Sequence, residues 1–208
     1  MKALLINGSP RNNGNTVDAL KQVAAQLEQQ GIETTTLWIG VKPQQGCVAC
    51  GMCRRTGVCV YGGDLYNTVR QHLAEADALI IGSPTYFGGP SGSLCTFLDR
   101  LFYSSGQMLQ NKVFAALVIA RRGGATTAFQ RLNMYAMLNN MNIATSHYWN
   151  IAYGRDRGEA THDIEGMQTM RTLGDNVARL VKALHDAPIP ARTPVTQYNF
   201  IRESSDKN

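Results

Sequence analysis

Neither Ala78-Leu79-Ile80-Ile81 nor Val113-Phe114-Ala115-Ala116-Leu117-Val118-Ile119-Ala120 has a polar side. A strand with one wet face alternates apolar and polar residues. A run that is apolar throughout belongs in the middle of a parallel sheet with helices on both faces. The longer run also falls far short of the ~20 apolar residues that a membrane-spanning helix needs. These two stretches fix the reading of the rest. Met1–Ile6, Ile32–Ile39, Asp77–Gly82, Lys112–Ala120 and Asn142–Trp149 read as strands. Helices are expected from Asn15 to Gln30 with a stop at Gly31, from Asp64 through Leu65, Val69 and Leu73, and after Pro90 through Leu94, Phe97, Leu98, Leu101 and Phe102. Two more cover Thr126–Asn139 and Glu165–His185. Strands alternating with helices define an α/β chain with an open, doubly wound sheet.

The chain's 208 residues suit one domain. Residues 1–187 form it, with a cysteine segment inserted at 40–63 and a proline-bearing tail at 188–208 that packs on a neighbouring subunit or lies free. Net charge is +5, but the arginines are scattered and no basic run carries interleaved aromatics. That balance points to a small anionic ligand and away from nucleic acid. The N-terminus has one lysine and no small-residue cleavage site, so a cytoplasmic protein with no membrane attachment is expected.

Between the first strand and helix lies Asn7-Gly8-Ser9-Pro10-Arg11-Asn12-Asn13-Gly14-Asn15-Thr16. A turn feeding a helix aims N–H groups and the positive end of the helix dipole at one spot, which favours an anion. Ser9, Asn15 and Thr16 add donors, and Arg11 adds a planar cation. A triphosphate loop would put a lysine where Asn15 stands, and the dinucleotide pattern G-x-G-x-x-G is absent, so the expected ligand is a small terminal phosphate. Ligands of such sheets lie beyond the carboxyl ends of the strands where strand order reverses, here between the first and third. The third strand exits into Ser83-Pro84-Thr85-Tyr86-Phe87-Gly88-Gly89-Pro90, whose aromatics and glycines suit a flat ring. The exit loop Arg121–Gly124 opens on the same edge.

Together these motifs resemble the NADPH-dependent FMN reductase family of flavodoxin-like proteins, over roughly residues 2–185. The resemblance implies a five-stranded parallel sheet of order 2-1-3-4-5. It also implies FMN, its phosphate on Ser9, Arg11, Asn15 and Thr16. Pro84, Thr85, Tyr86, Phe87 and Gly88 would line the ribityl chain and ring, and Arg122, Gly123 and Gly124 would approach the ring's polar edge. The implied activity passes electrons from NADH or NADPH to a small acceptor such as a quinone or flavin, in a homodimer or homotetramer. A second reading is an electron carrier coupled to ferredoxin-like partners.

Cys47, Cys50, Cys53 and Cys59 follow the spacing C-x2-C-x2-C-x5-C. Three cysteines at two-residue gaps plus a fourth suit a 4Fe–4S cluster better than zinc, whose ribbons join two C-x2-C pairs through a longer insert. Free or redox-labile thiols are the third reading. The segment also resembles the iron–sulfur flavoprotein branch of the family. Arg54 and Arg55 would offset thiolate charge or simply meet solvent, and Cys95 reads as a small core residue. No Ser/His/Asp set or carboxylate pair stands out. That absence fits chemistry carried by a flavin. His72, His162 and His185 read as surface residues and His147 as a packed one.

Overall fold

The computed structural model describes residues 1–189. The chain runs β1 (Lys2–Asn7), α1 (Asn15–Gln29), β2 (Glu33–Trp38), α2 (Cys53–Thr56), α3 (Asp64–Glu75), β3 (Ala78–Tyr86), β4 (Gly89–Pro90), α4 (Gly92–Leu109), β5 (Val113–Ala120), α5 (Ala125–Leu138), β6 (Asn142–Ile143), β7 (Ile151–Tyr153), a 3-10 turn at Glu159–His162, and α6 (Ile164–Leu184). The parallel sheet has the order β2-β1-β3-β5, with β6 and β7 both on the far edge of β5. This is the expected 2-1-3-4-5 order with its last strand in two pieces.

Alternation along the buried strands divides the core. Leu4, Ile6, Leu79, Ile81, Phe114, Ala116 and Val118 face a layer built from α3, α4 and α5, including Leu73, Phe97, Leu101 and Leu132. Leu5, Ile80, Val113, Ala115 and Leu117 face α1 and α6 through Leu20, Val23, Met170, Leu173 and Val177. Burying an aliphatic side chain contributes about 1.5–3 kcal/mol, so the two-sided strands Ala78–Ile81 and Val113–Ala120 anchor both layers at once.

Three expectations need correction. The strand Asn142–Trp149 is not continuous. It pairs Ile143 with Phe114 and then leaves the sheet, and the chain rejoins with Ile151 beside Val118. Asn150 makes this excursion possible: its buried side chain donates to Ala116 O at 2.9 Å while its carbonyl accepts from Val118 N at 2.9 Å. A side-chain amide thus takes the place of missing ladder groups, and the Tyr148–Trp149 ring pair is carried out to solvent. Second, β3 runs on to Tyr86, because β5 keeps pairing with it as far as Pro84 opposite Ile119. Third, the cysteine segment holds one helical turn, α2, which begins at Cys53 and closes at left-handed Gly57. The tail from 190 onward lies outside the described residues.

Candidate functional site

The turn after β1 is held from within. Asn7 is buried; its Oδ1 accepts from Ser9 N at 3.1 Å and its Nδ2 donates to Asn12 O at 3.3 Å. Ser9 Oγ accepts from Arg11 N at 3.1 Å, and Trp38 Nε1 donates to Ser9 O at 2.7 Å. Gly8 N donates to Gly82 O at 2.8 Å; a Cβ at Gly8 would sit 2.4 Å from Leu94 Cδ2 and 2.9 Å from that carbonyl. Ser91 ties the turn to α4: its Oγ caps the helix by accepting from Leu94 N and donates to Gly8 O at 2.6 Å. With the turn fixed, the N-terminus of α1 faces an open cleft.

The second wall is a hairpin. After Tyr86 the chain turns through Phe87 (φ 50°) and Gly88 (φ 76°) and returns as β4. Two successive positive φ values match a type I′ turn, which normally takes Asn or Gly at its first position. Here a phenylalanine occupies it, at a cost of about 1–3 kcal/mol, and its ring is fully exposed. Gly124 supports the hairpin from α5; a Cβ there would lie 3.0 Å from Gly88 Cα and 3.4 Å from Thr85 Cγ2. Thr85 Oγ1 is buried with no hydrogen-bond partner among the described residues. Such an orphan is uncommon, and a donor or acceptor brought by a ligand resolves it.

The third wall follows β7, in Gly154-Arg155-Asp156-Arg157-Gly158. Asn15 anchors it from α1: Nδ2 donates to Asp156 O at 2.9 Å and Oδ1 accepts from Ala160 N at 3.2 Å. Glu159 Oε2 accepts from Arg155 N at 2.6 Å and Asp156 N at 2.9 Å, and these bonds hold its carboxyl below the ordinary 4.5. A depressed carboxyl stabilises the turn above 4.5 and loses that contribution as pH falls through its folded value. Glu159→Gln is therefore expected to lower hydrogen-exchange protection of the Arg155 and Asp156 amides near neutral pH. The wild type should lose the same protection in acid.

Between the walls lies a cleft of about 200 Å³ lined by Ser9, Gly14, Thr16, Pro84, Thr85 and Tyr86, with the guanidinium-bearing Arg11, Arg121, Arg155 and Arg157 around it. Among the described residues no carboxylate lines it. A helix N-terminus and four arginines at one small cleft make a strong anion site.

The cysteines gather elsewhere. Cys47, Cys50, Cys53 and Cys59 all line one pocket, with Tyr61, Arg100, Tyr103 and Ser104 behind them. Cys47 and Cys50 are exposed, Cys53 and Cys59 half-buried. The segment lies along α4, where Gly46 packs against Thr96, and Tyr66 Oη accepts from Cys59 N at 3.3 Å. Among the described residues no three His, Cys, Asp or Glu side chains converge closely enough for a single metal ion. Cys95 is half-buried on α4, and burial pushes its thiol up, as suits an inert packing residue.

The sequence model of the NADPH-dependent FMN reductases matches residues 1–156. The chain belongs to that family. An iron–sulfur flavoprotein of Methanocaldococcus jannaschii is 34% identical over 192 residues, covering 88% of this chain and 99% of that one. An iron–sulfur flavoprotein of Methanosarcina thermophila is 30% identical, over 82% of this chain and 90% of its own. Among solved structures, RosB superposes with a TM-score of 0.71 at 16% identity, covering 98% and 97% of the two chains. A flavodoxin from the domain Archaea gives 0.59 at 18%, covering 88% of this chain and 99% of that one. These establish the flavodoxin-like fold.

As a member of the FMN reductase family the chain has FMN as its cofactor, and the cleft suits it. The α1 terminus and the arginines would hold its phosphate, and Thr85 Oγ1 would be free to pair with a ribityl hydroxyl. Ligand pockets usually run to about 300–1,000 Å³. This smaller cleft has the size of a phosphate and ribityl end and would leave the ring to the Tyr86–Phe87 rim. Seven of the twelve residues expected from sequence line the cleft: Ser9, Arg11, Asn15, Thr16, Pro84, Thr85 and Tyr86. Asn15 spends its amide on the third wall, leaving its backbone N–H for an anion. Phe87 and Gly88 form the turn beyond the rim. Arg122 and Gly123 are exposed outside the lining, Gly124 braces the hairpin, and Arg121 supplies that loop's guanidinium. Arg155 and Arg157 escape a sequence reading because they follow the broken fifth strand. Two arginines between Gly154 and Gly158, after an apolar Ile151-Ala152, were the available signal.

Proposed function

We propose that the protein is an FMN oxidoreductase that takes electrons from NADH or NADPH and delivers them to a small acceptor such as a quinone or free flavin. An iron–sulfur cluster in the cysteine pocket assists it. The observation that carries the reading is the anionic-ligand cleft ending on an uncovered aromatic rim, Tyr86–Phe87, which leaves a bound ring open to a second reactant. FMN supplies hydride acceptance and electron release when bound; the chain supplies phosphate anchoring, ring support and an open approach. Steady-state oxidation of NADPH and NADH with a quinone tests this. Turnover with at least one nicotinamide is expected. No turnover with either, alongside rapid reduction by ferredoxin, would replace it with the electron-carrier reading.

Four thiols on one pocket support a 4Fe–4S site at Cys47, Cys50, Cys53 and Cys59. The pocket's free volume is only about 20 Å³, room for one water. A cluster therefore requires the exposed Cys47–Cys50 stretch to shift outward, and that stretch carries no helix or strand to break. Both sites meet α4: Ser91 touches the phosphate turn, and Arg100, about 13 Å of helical rise further on, lines the cysteine pocket. Anaerobic purification with iron and sulfide assays is expected to give four of each per chain. Serine at any of the four cysteines should abolish them, while Cys95→Ser should not.

Assembly as a homodimer or homotetramer is part of the same proposal. Met134, Met137 and Leu138 are exposed along an apolar groove of about 850 Å³ between α4 and α5, and sedimentation equilibrium reads the outcome. A cytoplasmic location belongs to the same proposal; no described helix is long and apolar enough to cross a membrane.

A further inference from the structure

Arg100 is the most deeply buried cation described, with 3% of its surface exposed. Its partners are neutral. Nη1 donates to Tyr61 O and, at 3.4 Å, to Gly62 O; Nη2 donates to Gln44 Oε1 at 3.4 Å; the guanidinium lies 5.6 Å from the Tyr66 ring centroid. Nε is buried with no hydrogen-bond partner among the described residues. No ion pair among the described residues includes it. Arginine stays charged in proteins, and an uncompensated charge in a protein interior is costly. Yet this side chain lines the pocket shared by Cys47, Cys50, Cys53 and Cys59. Its acceptors come from both stems of the cysteine segment, Gln44 before Cys47 and Tyr61–Gly62 after Cys59. Arg54 and Arg55, inside the segment, are exposed, in keeping with the expectation that they meet solvent, with Arg54 donating to Tyr103 Oη.

We propose that Arg100 is the buried counter-charge of the cysteine pocket. Its guanidinium compensates the negative charge of a thiolate-held iron–sulfur cluster and raises the potential at which that cluster accepts one electron. The proposal rests on the cluster reading given above. The physical basis is Coulombic: a fixed positive charge in a poorly solvated site stabilises each added electron, and the same site screens it little. Arg100 is a positioning and tuning residue and touches no substrate.

The test uses the full-length, FMN-loaded protein, reconstituted anaerobically with iron and sulfide. Wild type, Arg100→Met and Arg100→Lys are titrated with dithionite while the reduced cluster is followed by electron paramagnetic resonance. Flavin content reports whether the rest of the fold is intact. Arg100→Met is expected to disfavour cluster reduction at least tenfold, about 59 mV lower for one electron, while Arg100→Lys stays within threefold of wild type. Loss of the cluster in Arg100→Met with retention in Arg100→Lys supports the same role. Wild-type iron content with an unchanged potential in Arg100→Met overturns the proposal and leaves the cluster reading standing. Loss of the cluster in both variants, with flavin retained, assigns Arg100 to holding the stems and also overturns it. A wild-type chain that takes up no iron and sulfide removes the cluster reading and this proposal together.

Discussion

Replacing Arg11 and Arg157 together by alanine is expected to weaken FMN binding about 100-fold. Each guanidinium that reaches a phosphate forms a charge-assisted bond of about 1.5–3 kcal/mol. Both arginines are exposed on the free protein, so solvent competes for them and the lower end applies, roughly tenfold each. The pair stands on two separate segments of the cleft, one on the β1–α1 turn and one on the loop after β7. No shared local refolding can therefore explain a joint loss. Titration of the flavin-free variant by fluorescence quenching measures the effect. The salt dependence of binding should flatten in parallel, because fewer cations then face the phosphate. An affinity within threefold of wild type would place the phosphate elsewhere.

Asn15→Ala should reduce both stability and flavin retention. The side chain is 8% exposed and makes two bonds across 141 and 145 residues of sequence. Truncation removes both and leaves the buried Ala160 N–H without its acceptor, a combined cost of about 2–3 kcal/mol. For a chain of this size that corresponds to a fall of roughly 5–10 °C in melting temperature. Loosening of the 154–160 wall also frees Arg155 and Arg157, so FMN affinity falls with it. An unchanged melting temperature by calorimetry would show that the third wall holds itself.

How much of this was legible in the sequence follows from which forces act locally. The central strands were readable because Leu79-Ile80-Ile81 and Val113–Ala120 must be buried on both faces whatever surrounds them. The stop of α1 at Gly31 was readable because it is local. Asp64, expected as a cap, is instead the first residue of α3, and the cap position belongs to Gly63 with no side-chain capping bond. The fifth strand was misread because Asn142–Trp149 has strand-like composition, and only the tertiary bond from Asn150 to Ala116 O shows that the ladder is completed by a side chain. That error hid Arg155 and Arg157, whose place in the cleft depends on where β7 ends. Asn15 was picked out for the phosphate and does line the cleft, but its amide binds a segment more than a hundred residues away, and spacing carries no trace of that. Arg100 was invisible for the same reason: on sequence it is one charge on an amphipathic helix, and its burial emerges only when the cysteine stems close over α4.

The arginine-lined cleft is expected to read the phosphate of a flavin mononucleotide. The most direct measurement compares FMN with riboflavin, which lacks only that phosphate, on the flavin-free protein at one ionic strength. FMN is expected to bind at least 100-fold more tightly, about 2.7 kcal/mol. Equal affinities for the two would contradict the account.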